Sequence, residues 1–113
     1  MPEVMARFFA PCGELGTPSG ATSCAYKHLL TYEKIISRDL DGAVIIEDDA
    51  VLRPRFAEVV TQSLAELSAD TPSIISYEDT RLRFVPRSMR RKGCVLYPGD
   101  RDRFTGAYYI NRT

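Results

Sequence analysis

No apolar run in this 113-residue chain approaches the length that a bilayer demands; a membrane-spanning helix needs ~20 consecutive apolar residues. The most apolar stretches, Ala43 to Ile46 and Ser73 to Tyr77, are only a few residues each, so nothing is expected to span a membrane. An excess of charge is lacking too: 15 Lys and Arg face 15 Asp and Glu. That balance argues against a general nucleic-acid or membrane-surface binder, which relies on a basic field spread over a face, and leaves only a local patch to serve that purpose. The N-terminal segment MPEVMARFFAPCGE carries Glu3 and has no apolar stretch of signal-peptide type, so cytoplasmic residence is expected. The three cysteines, Cys12, Cys24 and Cys94, show neither a CxxC nor a Cys/His ligand spacing, which argues against a disulfide scaffold and a zinc site. Internal repeats and low-complexity segments are absent as well.

What is present is an ordinary globular composition, 44% apolar and 10% aromatic, in a chain long enough for one core. A domain of this size hides roughly two thirds of its unfolded surface. Pro2, Pro11, Gly13, Gly16, Pro18 and Gly20 keep breaking any period in the first twenty positions, leaving room for one short strand near Arg7 to Ala10. From Ala21 to Ser37, apolar positions recur at steps of three and four (Ala21, Cys24, Ala25, His28, Leu29, Tyr32, Ile35, Ile36) and predict an amphipathic helix. After a turn at Arg38 to Gly42, the β-branched run Ala43-Val44-Ile45-Ile46 predicts a strand covered on both faces, as in a parallel sheet. A second helix is expected with Pro54 near its first position and with Phe56, Val59, Val60, Ser63, Leu64 and Leu67 on one stripe. Ser73 to Tyr77 reads as another strand. The order helix, buried strand, helix, strand predicts a Rossmann-like α/β layer with a mostly parallel sheet flanked by helices. Shorter strands are expected at Cys94 to Tyr97 and Ala107 to Ile110, on either side of the Pro98-Gly99-Asp100 turn. Residues 81–103 form a basic loop region, with eight Lys and Arg against Asp100 and Asp102.

Glu47, Asp48 and Asp49 follow the first predicted strand directly. Ligands of open α/β sheets sit at the carboxyl ends of strands, so the position marks a candidate site. If the backbone stays extended there, Glu47 and Asp49 share one side and can converge on one ion. Three adjacent carboxylates repel one another by roughly 3 kcal/mol per pair at ~6 Å and an effective dielectric of about 20. A divalent cation, Mn2+ or Mg2+, would relieve this repulsion through hard oxygen ligands. The competing reading is a solvated acidic loop, and the residues alone leave both open.

Cys24-Ala25-Tyr26-Lys27-His28-Leu29, then Gly42 to Leu52 with its Glu47-Asp48-Asp49, and finally Thr105-Gly106-Ala107-Tyr108 together resemble glycosyltransferase family 25, of the lipooligosaccharide and lipopolysaccharide galactosyltransferase type. The order of the three motifs carries the resemblance. Lys27 departs from the family's usual Ser, and Gly20 to Ser23 replace its usual entry to the helix. The resemblance implies a nucleotide-sugar-binding layer of the GT-A kind. It also implies transfer of a hexose, galactose most commonly, from a nucleotide sugar such as UDP-galactose to a saccharide or glycolipid acceptor at the cytoplasmic face of the inner membrane. Glu47 and Asp49 are then the metal contacts, with Asp48 beside them in a DxD-type role. His28, on the inner stripe of the first helix, is a core histidine by position alone and a site residue by the resemblance. Glu78 and Asp79 follow a predicted strand and are candidates for the acceptor's base. Thr105, Gly106 and Tyr108 are candidates for lining a substrate pocket, and Arg81 and Arg83 for gripping acceptor phosphates or touching the membrane.

Family members are longer, with a first nucleotide-binding strand that would precede residue 1, so residues 1–113 are expected to form one partial glycosyltransferase domain. Two other readings compete. One is a non-catalytic remnant or binding module of the same fold. The other is a receiver-like magnesium-binding signalling domain, against which stands the absence of a Lys after a later apolar strand.

Overall fold

The computed structural model describes residues 20–78, 85–99 and 106–113. The chain divides into two compact units, Met1–Leu40 and Asp41–Thr113. The strand expected near Arg7 to Ala10 lies outside the described residues.

In the first unit, helix α1 spans Gly20–Ser37, as the three-and-four periodicity predicts. Its end is set by the backbone. The Leu40 N–H donates to the Ile35 carbonyl and the Asp39 N–H to the Ile36 carbonyl, both at 3.1 Å, while Asp39 takes the left-handed conformation with φ 54°. This pair of bonds satisfies carbonyls that a helix C-terminus otherwise leaves open, and Lys34 in the last turn complements the negative end of the helix dipole.

The second unit is built on three strands, β1 (Gly42–Ile46), β2 (Ile74–Ser76) and β3 (Ala107–Asn111), with helix α2 (Phe56–Glu66) between β1 and β2. The strand order is β1-β3-β2. Both pairings are antiparallel, with Ile45 opposite Tyr108 and Ile75 opposite Tyr109. Since β1 and β2 both oppose β3, they run parallel to each other and α2 joins them as a crossover. The expected parallel pairing therefore does not occur among the described strands: β3 is inserted between the two parallel strands with reversed direction. The physical reason is that a run of β-branched residues favours a strand but does not report the direction of its neighbour; nor are both faces of β1 covered as expected, since Ile45 is buried but Ile46 is exposed. The Cys94–Tyr97 segment is not a strand either. It runs irregularly after a short 3-10 turn at Arg87–Met89, its amides captured by a side chain of α2.

Pro54 does not start α2 as expected. It occupies a turn closed by the Phe56 N–H on the Arg53 carbonyl at 3.0 Å, where its fixed φ suits the second turn position. The face of the sheet bearing Ile75, Tyr77 and Tyr109 meets α2. Phe56 and Tyr77 make an edge-to-face ring contact with centroids 5.5 Å apart. Ser63, 2% exposed, donates to the Val60 carbonyl and is bonded to the Tyr77 hydroxyl, both at 2.8 Å. With the Ser63 proton on Val60, Tyr77 is the donor of the second bond. Burial pushes the Tyr77 phenol above its ordinary value. Gly42 is required for space, since a Cβ there would run into the Tyr109 ring across the strands.

A candidate site at the carboxyl ends of two parallel strands

The carboxyl ends of β1 and β2 lie at the same end of the sheet, where β3 begins. Gly106 links them. Its carbonyl accepts the Glu47 N–H at 2.9 Å, and its own N–H donates to Glu78 Oε2 at 2.9 Å. One residue along, the Tyr77 N–H donates to the Ala107 carbonyl at 3.0 Å. A Cβ on Gly106 would collide with the Glu78 carboxylate. Glu78 is itself held by Ser76, whose hydroxyl donates to the Glu78 carbonyl at 3.0 Å. Two residues far apart in sequence are thus tied to one glycine, Glu47 through its backbone amide and Glu78 through its carboxylate.

After Glu47 the backbone does not stay extended. The Ala50 N–H returns to the Glu47 carbonyl at 3.2 Å, closing a turn over Asp48 and Asp49, which are both exposed, while Glu47 is half-buried. The strand-like alternation expected of the triplet is replaced by a turn, because Asp at turn positions competes well with continued pairing. Asp48 and Asp49 therefore stand side by side on one exposed corner, with Glu47 at its root. The three carboxylates supply only oxygen donors, the set that suits a hard divalent cation.

Tyr108, expected to line a substrate pocket, is 4% exposed and lies in β3 opposite Ile45 and Ser76. His28 lies half-buried in α1, in the first unit. Asp79, Arg81, Arg83 and Thr105 fall outside the described residues. Two open hollows occur in the second unit, and neither is lined by the acidic turn or Glu78. One, of about 540 Å3, is lined by Asp41, Leu64, Tyr109 and Asn111 among others. The other, of about 610 Å3, is bounded by Glu66, Ile74, Arg91, Cys94 and Tyr97 among others.

A second group of hydrogen bonds, centred on the carboxylate of Glu66, lies at the far end of α2. Glu66 accepts the Val95 N–H at 3.0 Å and the Leu96 N–H at 2.8 Å, and Gln62 donates to the Gly93 carbonyl at 2.7 Å. These amide bonds hold the Glu66 carboxyl below its ordinary range. Nothing local in the sequence signals them, since the partners are about thirty residues apart.

Comparison with protein families supplies the decisive observation: the family described as glycosyltransferase family 25 (LPS biosynthesis protein) matches residues 17–111. The chain belongs to glycosyltransferase family 25. The match takes in α1, the acidic turn and the Gly106 junction, so all three motifs of the resemblance lie inside it. Comparison with curated proteins and with solved structures finds no match. The family is one of glycosyltransferases of lipopolysaccharide biosynthesis, whose substrates are in general a nucleotide sugar and an acceptor. Membership leaves the receiver-like reading without support. Among the described residues no helix is long and apolar enough to cross a membrane.

Proposed function

We propose that this chain is an active hexosyltransferase of lipopolysaccharide or lipooligosaccharide biosynthesis, transferring galactose from UDP-galactose to a saccharide or glycolipid acceptor. The observation that carries the reading is the Gly106 junction. It joins the acidic turn after β1 to Glu78 after β2, at the strand ends where ligands of α/β sheets bind.

Glu47 and Asp49 are the residues that would hold a divalent cation, Mn2+ or Mg2+, with Asp48 beside them. Once bound, such a cation would offset the charge that develops on the leaving diphosphate. The chain's own part is positional. The turn closed by Ala50 and Glu47 presents two carboxylates on a short, tied segment, and the backbone bond from Glu47 to Gly106 anchors that segment to the central strand. Inversion at the sugar would need a carboxylate to take the acceptor hydroxyl's proton, for which Glu78 and its neighbour Asp79 are the candidates at the same strand end. The engagement of Glu78 with the Gly106 amide favours a positioning role for Glu78. A substrate approaching the backbone at Gly106 would have to displace the Glu78 carboxylate, which fills the space a side chain would take there.

Calorimetric titration of UDP-galactose into the wild-type chain and Asp49→Ala, with and without Mn2+, tests the reading. Binding that needs the ion and is lost in the variant is expected. Binding independent of Mn2+, or unchanged by the substitution, would overturn the assignment of the site.

A further inference from the structure

The segment from Val85 to Gly99 contains Arg87, Arg90, Arg91 and Lys92 and no acidic residue. All four cationic side chains are exposed, and among the described residues none of them makes an ion pair. Met89, at the 3-10 turn between them, is 48% exposed. The segment is nonetheless tightly fastened. The Tyr97 hydroxyl accepts the Arg91 N–H at 3.0 Å and lies 3.2 Å from the Arg91 and Cys94 carbonyls. Arg90 Nε donates to the Val85 carbonyl at 2.8 Å, and Glu66 and Gln62 bind the backbone from Gly93 to Leu96.

The fastening point also fixes where the charge sits. The N-terminal end of α2 is located by the contact of Phe56 with Tyr77, next to Glu78. The basic segment is clamped by Gln62 and Glu66, at the other end of the 11-residue helix. A helix of that length is ~16 Å long. The cations are thus too far from the acidic turn to share one small ligand with it. The four cations and the exposed Met89 sit on a segment attached at the opposite end of α2 from Glu78.

We propose that the 87–92 segment is a docking surface for an anionic phospholipid bilayer. Arg87, Arg90, Arg91 and Lys92 meet the headgroups, Met89 enters the interface, and the acidic turn is held away from the negative surface. Charge complementarity argues for an anionic partner. The methionine placed among the cations argues for a bilayer rather than a soluble phosphate, because an apolar side chain gains nothing from a hydrated ion. The proposal does not depend on transferase activity.

Cosedimentation of the full chain with vesicles of phosphatidylcholine, alone or mixed with phosphatidylglycerol, tests it. Binding to the mixed vesicles only, weakening as salt rises, is expected. Removing a surface cation should weaken binding roughly fivefold, so the double variant Arg87→Gln, Lys92→Gln should bind about 25-fold more weakly. Neither side chain makes a hydrogen bond within the described structure, so the fold should survive, as circular dichroism would verify. Met89→Ser should also weaken binding. Equal affinity for both vesicle types, no effect of salt, or an unchanged double variant would overturn the proposal. So would displacement by free glycerol phosphate at low concentration, which would show a soluble phosphate site instead. UDP-galactose calorimetry is independent of all these outcomes.

Discussion

Glu78 and Gly106 are joined by a hydrogen bond from the glycine amide to the carboxylate, and the glycine has no side chain because that carboxylate fills the space one would need. The carbonyl of Gly106 holds the Glu47 amide, so the relationship extends to the acidic turn. A carboxylate that follows β2 thereby fixes the start of β3 and, through it, the end of β1.

Gly106→Ala should expel the Glu78 carboxylate instead of distorting the backbone, since the obstructing atoms end a flexible side chain and no left-handed φ is involved. The cost should be that of a hydrogen bond to a charged group, roughly 1.5–3 kcal/mol. Glu78→Ala removes the same bond from the other side. The double variant should then be scarcely less stable than either single one, a non-additivity that urea denaturation of the four proteins would measure. Strictly additive losses would mean that the bond does not couple the two residues.

Tyr77→Phe deletes the phenol's hydrogen bond to Ser63, whose side chain is the most deeply buried polar group described. A loss of about 1 kcal/mol at neutral pH is expected. The raised pKa of Tyr77, a consequence of its burial, adds a pH dependence. The folded state favours the neutral phenol, so its contribution is complete below the unfolded value and is lost as pH rises through the folded one. In the wild type, stability should therefore fall in alkali above about pH 10. Tyr77→Phe should lose that part of the fall, as denaturation at neutral and alkaline pH would reveal.

The Glu66 clamp should fail at the opposite end of the pH scale. Its carboxyl is held below the ordinary 4.5 by the Leu96 and Val95 amides. The attachment of the basic segment is thus fully present above that value and is lost as pH falls through the lowered one. Glu66→Gln leaves a single acceptor oxygen for two amides and should loosen the segment at every pH. Hydrogen exchange at Val95 and Leu96 would show faster exchange in the variant at neutral pH, and in the wild type the amide shifts of both residues should titrate in acid.

Periodicity and residue type alone placed the elements well. The stripe from Phe56 to Leu67 gives α2, the Val44-Ile45-Ile46 run gives β1, and Ala107 to Ile110 gives β3. These patterns report which faces are buried. They carry no information on which strand lies beside which, so the antiparallel insertion of β3 was hidden. The expected strand at Cys94 to Tyr97 failed for a related reason: its amides bond to Glu66, a partner that no local pattern contains. At the site, the three acids after β1 were legible because they break an apolar run. Their turn and the junction of Gly106 with Glu78 were not, since both depend on bonds formed only when distant segments meet.

Asp48 and Asp49 offer a separation of binding from stability. Both are exposed at a corner closed by backbone atoms, so replacing either by Asn should change stability by no more than about 0.5 kcal/mol. Asn also keeps the turn preference of Asp. If these carboxylates hold a divalent cation, each substitution should nevertheless lower Mn2+ affinity by roughly tenfold or more, by removing a charged oxygen ligand. Glu78→Gln is the contrasting case: its amide oxygen can still accept the Gly106 N–H, so Mn2+ affinity should be largely retained. Parallel Mn2+ titration and thermal denaturation of the three variants would decide the matter. Loss of Mn2+ binding in all three together, tracking a loss of stability, would show that the acids act through the fold and not as ligands.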